Sequence, residues 1–174
     1  MIFGDKEIYA IEVYNEPQFY TKGGYYPLGG MCLHLNGEIF GDIDDSCNAL
    51  GVTHLALKRA IENVDKIKHN FDFRTDLEIF EYLDNILYLD DTRTYEQMVA
   101  DGKKYWKFDF LTNGGIMFDR TKSFIYLDSF DCIHILSQTE TKKVHASKIE
   151  KDVFLKVTKE FISWFDETEK TRPD

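Results

Sequence analysis

Asn36-Gly37 separates two short apolar runs, residues 31–35 and 38–40. Two residues of this kind between such runs are the strongest local signal of a β-hairpin, because both central positions of a type I′ turn need positive φ. The turn commits the N-terminal part of the chain to antiparallel pairing. Upstream, Tyr9, Ile11 and Val13 alternate within residues 7–14 and define one face of a half-buried strand. Residues 17–30, rich in Gly and Tyr, read as a loop that delivers the chain to the hairpin.

The period then changes. Leu57, Ala60, Ile61, Val64 and Ile67 recur at spacings of three and four over residues 52–68, the stripe of an amphipathic helix for which Thr53 is a candidate N-cap. Thr75 and Glu78 form a capping-box pattern ahead of Leu77, Phe80, Leu83 and Leu87. Thr94 and Gln97 repeat it for a short helix ending at Gly102. From residue 105 to 110, Trp106, Phe108 and Phe110 alternate with polar neighbours and predict a strand. Residues 113–115 turn it back, and residues 116–118, 123–127 and 132–136 predict further strands of a meander. A third capping box, Ser147 with Glu150, opens a final helix carrying Val153, Phe154, Val157, Phe161, Trp164 and Phe165. Strands on both sides of a helical middle, joined by hairpins, predict an α+β fold, a largely antiparallel sheet with about three helices packed on it. A length of 174 residues without repeat or linker composition makes residues 1–174 one domain.

Cys32, Cys47 and Cys132 are odd in number and lack C-x-x-C spacing, so they read as reduced thiols and suggest neither a disulfide framework nor a zinc cluster. The opening residues show no basic stretch leading into an apolar run, and no segment is long and apolar enough for a membrane span, which together predict a cytoplasmic protein. His34, His54, His69, His134 and His145 form no i, i+4 pair, and no nucleophile-elbow, dinucleotide or phosphate-loop motif occurs, so no catalytic residue, metal ligand or cofactor is assigned. Asp42-Ile-Asp44 with Asp90-Asp91 resembles the acid pairs of a Mg²⁺-dependent phosphatase, but that chemistry needs the DxD at the end of a parallel strand, whereas here it follows a hairpin. A calcium loop starting at Asp42 fails at Cys47 and Thr53, where glycine and glutamate are required.

Charge is the most informative remaining property. The chain has 31 acidic against 21 basic residues, a net charge of -10, the wrong sign for direct contact with nucleic acid. The excess has an address. Residues 36–50 contain Glu38, Asp42, Asp44 and Asp45 with no Lys or Arg, and residues 72–96 contain eight acids against Arg74 and Arg93. These segments carry net charges of -4 and -6, so the rest of the chain is neutral. Such patches serve either as solvated surface or to steer a basic partner. Tyr82, Tyr88 and Tyr95 lie among the acids, and tyrosine is enriched in binding hot spots.

Several short strings have a family likeness: Met1-Ile-Phe-Gly-Asp5 with Ala10-Ile-Glu12, Leu33-His-Leu-Asn-Gly37 with Gly41-Asp42, Trp106-Lys-Phe-Asp-Phe110, Phe118-Asp119 and Lys122-Ser-Phe124. Together they resemble the immunity proteins of bacterial polymorphic-toxin and contact-dependent-inhibition systems, most closely immunity protein family 42. The resemblance implies a non-enzymatic cytoplasmic protein, without cofactor, that binds and blocks the toxic C-terminal domain of a secreted effector. Such toxins are often basic nucleases, which an acidic inhibitor suits. On this reading Asp42, Asp44 and Asp45, with Glu81, Tyr82, Asp84, Tyr88, Asp90 and Asp91, are the candidate toxin-binding residues. An acidic adaptor for another protein and the acid-pair phosphatase are the competing readings.

Overall fold

Asn36 and Gly37 adopt φ of 53° and 80°, and the turn they make sets Leu35 against Glu38 and Leu33 against Phe40. This hairpin belongs to a computed structural model that describes residues 1–15, 27–44, 48–71, 74–90, 92–112, 114–139 and 143–170. Strands β1 (Ile2–Asp5), β2 (Tyr9–Asn15), β3 (Leu28–Leu35) and β4 (Glu38–Phe40) pair in that order, and β5 (Asn48–Ala49) pairs with the start of β3. Strands β6 (Lys122–Leu127), β7 (Cys132–Gln138) and β8 (Val144–Glu150) make a second antiparallel sheet. Four helices accompany them among the described residues: α1 (Leu50–Glu62), α2 (Asp76–Asp84), α3 (Tyr95–Tyr105) and α4 (Lys151–Lys170). The fold is α+β and antiparallel, as expected.

The alternation of β2 and β3 sends Tyr9, Ile11, Val13, Met31, Leu33 and Leu35 to one buried face. Helix α4 lies against it. Tyr9 meets Phe154 at 5.3 Å, its hydroxyl shares a hydrogen bond with Thr158, and Phe3 packs edge-on against Phe161 at 6.1 Å. Phe154 also approaches Phe110 at 6.4 Å, and α4 touches β7 and β8, so one helix joins both sheets to a single core. On the second sheet Phe124 packs on Phe80 of α2 at 5.1 Å and Tyr126 on Phe71 at 5.0 Å. The outer edge of β6 is covered, since Leu127 exchanges backbone hydrogen bonds with Ile67 and His69 and the Phe110 amide bonds the Ser123 carbonyl.

Several sequence expectations are corrected. Strand β1 was not expected. Gly29 and Gly30, read as loop, pair with Asn15 and Tyr14 inside β3. A Cβ at Gly30 would lie 2.0 Å from the Ile43 carbonyl oxygen, so the glycine marks a close approach rather than a turn. Helix α1 starts at Leu50 with Ala49 at its N-cap position, while Thr53 is buried one turn in and donates to the Gly114 carbonyl. The helix stops at Glu62, and Val64 and Ile67 are buried from the turn that follows it. Both capping boxes at Thr75 and Thr94 form. Yet α3 runs through Gly102 to Tyr105 and tightens into a 3-10 turn at Trp106–Phe108, where a strand was predicted. The three-residue step turns Tyr105 and Phe108 into the core together, which leaves Trp106 outside. Ile116–Phe118 is likewise a 3-10 turn rather than a strand, entered through Gly115 at φ 119°. Ser147 to Glu150 is not a helix start. Ser147 and Ile149 are buried and Lys148 and Glu150 exposed, so the period-two pattern prevails and the segment completes β8 before α4 begins at Lys151.

Candidate protein-binding surface

Gly41 ends β4 at φ 104°, with Phe118 packed so close that any side chain at Gly41 would strike its ring. The chain is thereby turned outward. The Asp42 amide bonds the Met117 carbonyl at 3.1 Å, its carboxylate accepts the Asp44 amide at 3.0 Å, and both carboxylates are exposed. Asp45 lies outside the described residues.

The second acidic segment is less free than its composition suggests. Glu81 is exposed on α2. Tyr82, half-buried, shares a 2.7 Å hydrogen bond with Tyr105 beneath the guanidinium of Arg74. Asp84 is buried and ion-paired with Lys122. Beyond α2 the helix widens into a π-helical turn at Asn85–Leu89, which swings Tyr88 inward so that its hydroxyl donates to Asp109 at 2.7 Å. Burial holds the Asp109 carboxyl above the usual range, and the Tyr88 phenol is raised by burial and then by that carboxylate. Asp90 accepts from the amide and hydroxyl of Thr92 and pairs with Arg93, which also holds Asp101 at 2.9 Å. Asp91 lies outside the described residues. Tyr82, Asp84, Tyr88 and Asp90 are thus held by side chains elsewhere on the chain, whereas Asp42, Asp44 and Glu81 face solvent, Asp42 with only its local bond from the Asp44 amide.

Both acidic segments touch the same stretch of chain. Met117 receives the Asp42 amide, and Lys122, five residues on, reaches Asp84. Asp84 and Glu81 differ sharply in duty as a result. Asp84→Asn is expected to destabilise the fold by about 1–3 kcal/mol, because it removes the counter-charge from a partly sheltered ammonium and weakens their hydrogen bond. Glu81→Gln should stay within about 0.5 kcal/mol. Urea unfolding of the two variants measures the contrast, and equal midpoints would show that the Asp84 pair carries no structural duty.

An apolar face accompanies the acids and was missed from sequence. Tyr95, Met98, Val99 and Trp106 stand on one side of α3 and its 3-10 extension, with exposures of 73, 42, 37 and 49 %, and Leu89 just ahead of them is 60 % exposed. The spacing i, i+3, i+4, i+11 was in the sequence, but assigning Trp106 to a strand hid it. Between α1 and the end of that extension lies a cleft of about 260 Å³, lined by Ala56, Arg59 and Ala60 on one side and Trp106 and Asp109 on the other.

A family profile described as Immunity protein 42 matches residues 1–164. The chain belongs to the immunity protein 42 family. No curated protein and no solved structure matches it. Membership of the immunity protein 42 family carries a toxin-immunity role, and the partner of such a protein is its cognate toxin. The surface that matters is then one suited to another protein. No helix is long and apolar enough to cross a membrane among the described residues. Glu12, Cys32 and His34 also converge on the hairpin sheet, from two strands that sequence spacing alone could not bring together.

Proposed function

We propose that this immunity protein acts in the cytoplasm, without turnover, by docking on a basic toxin domain, a nuclease, and occluding its active site. The observation that carries the reading is the exposed apolar face of α3 beside a segment of net charge -6. Exposed aromatic residues supply anchors that exclude water, and surrounding carboxylates supply steering and orientation. Tyr95, Met98, Val99 and Trp106 are the anchors. Asp42, Asp44 and Glu81 are the solvent-facing carboxylates that can stand where substrate phosphates would sit in a basic cleft. Tyr82, Asp84, Tyr88 and Asp90 contribute by holding α2, the π-helical turn and α3 in place.

The electrostatic part is tested by stopped-flow mixing with the cognate toxin domain. Between about 0.01 M and about 0.15 M salt the Debye length shrinks from about 30 Å to about 8 Å. The association rate constant is expected to fall at least about tenfold over that range. A rate constant indifferent to salt removes the steering role of the acids.

A further inference from the structure

The second-strand position of Glu12 gives the hairpin sheet a feature the toxin surface does not use. Glu12 on β2 is registered directly against Cys32 on β3, and His34 lies two residues further along the same face of β3. Their donor atoms all fall within 4.8 Å of one another. His34 Nε2 is 2.7 Å from Glu12 Oε2 and 3.7 Å from Cys32 Sγ. One imidazole nitrogen is thus aimed at both a carboxylate and a thiol, although its single hydrogen can serve only one of them well.

We infer that Glu12, Cys32 and His34 form a binding site for one divalent, borderline-soft transition-metal ion of the Zn²⁺ type. The donor set, one carboxylate oxygen, one imidazole nitrogen and one thiolate, is that of zinc, while a single oxygen donor is too few for Ca²⁺ or Mg²⁺. The spacing fits as well. Tetrahedral zinc with usual bond lengths holds its sulfur and nitrogen about 3.5 Å apart, close to the separation between Cys32 and His34. Rotation of the Glu12 carboxylate opens the remaining edge. Cys32 and His34 are buried, but Glu12 is about a quarter exposed, so an ion enters from that side and a water completes its fourth position.

Lys6 is the competitor. Its ammonium donates to the same Glu12 oxygen at 2.6 Å and its side chain is 41 % exposed. On metal binding Lys6 swings into solvent, Cys32 releases its proton to water, and the two positive charges of the ion are met by one carboxylate and one thiolate. Binding therefore releases one proton per ion and tightens as the pH rises.

The test uses the full chain without a tag, stripped with EDTA and titrated with Co²⁺ and then Zn²⁺. One equivalent of Co²⁺ is expected to produce a near-ultraviolet thiolate-to-cobalt band with visible bands of tetrahedral intensity, all displaced by Zn²⁺. Cys32→Ser should abolish the thiolate band and Cys132→Ser should leave it. Glu12→Gln, a milder change that keeps the site testable if Cys32→Ser fails to fold, should weaken binding at least about tenfold. Lys6→Met should tighten it several-fold. Absence of the band in folded wild-type protein overturns the site, as does a band that survives Cys32→Ser. Weaker binding on Lys6→Met also overturns it and leaves a hydrogen-bond network in its place.

Discussion

Alanine at Tyr95 or Trp106 is expected to weaken the toxin complex by about 2–4 kcal/mol for each residue, roughly 30- to 1000-fold in Kd. Both side chains are about half exposed or more in the free protein, so each has a large apolar surface to bury on docking. The loss should appear mainly as faster dissociation, because short-range packing forms after encounter. Reversing Asp42, Asp44 and Glu81 together to lysine should do the opposite, slowing association while changing dissociation little. Stopped-flow and surface-capture kinetics separate the two effects, and circular dichroism confirms that the variants fold. Reversal of Glu62, Asp152 and Glu160 together, exposed on α1 and α4, is the matching control of equal charge change. If that reversal weakens the complex as much as the others, binding responds to net charge alone and the α2–α3 surface has been misplaced.

Phe154→Ala is expected to lower the stability of the fold by about 3–5 kcal/mol. That is a large share of the roughly 5–15 kcal/mol typical of a domain. The size follows from its position. Phe154 is fully buried, and it meets Tyr9 of the hairpin sheet as well as Phe110 beside β6, so truncation opens a cavity where the two sheets share α4. Phe130, 82 % exposed between β6 and β7, offers the contrast, and its alanine variant should stay within about 0.5 kcal/mol. Urea titration gives both values. A loss below about 1 kcal/mol at Phe154 would mean that the two sheets are stabilised separately.

The elements legible in the sequence are those whose local chemistry and tertiary packing agree. The Asn36-Gly37 turn, the boxes at Thr75 and Thr94 and the short apolar runs of β6 and β7 between turn residues needed no distant partner to be recognised. Misreadings arose where two local signals compete. Ser147 and Glu150 have the spacing of a capping box, but pairing with β7 holds the backbone extended until Lys151. Trp106, Phe108 and Phe110 alternate like a strand, but the helix arriving from Thr94 imposes its own period through Tyr105. The same competition hid part of the exposed apolar face of α3. Charge located the acidic segments, but only coordinates distinguish Glu81, which faces water, from Asp84, which is held by Lys122. The convergence of Glu12 with Cys32 and His34 depends on strand register, a long-range property that residue spacing does not encode.

Helix α3 commits a single residue, Tyr105, to the core, and from Tyr95 to Ala100 it is exposed to solvent. Substitutions along its outer face therefore disturb neither the core nor the backbone hydrogen bonding of the sheets. Residues released from packing can vary without loss of the fold. A lineage could retarget such a helix by point changes at Tyr95, Met98 or Val99 while the scaffold beneath stays constant, so recognition of a partner and maintenance of the fold are inherited as separable traits.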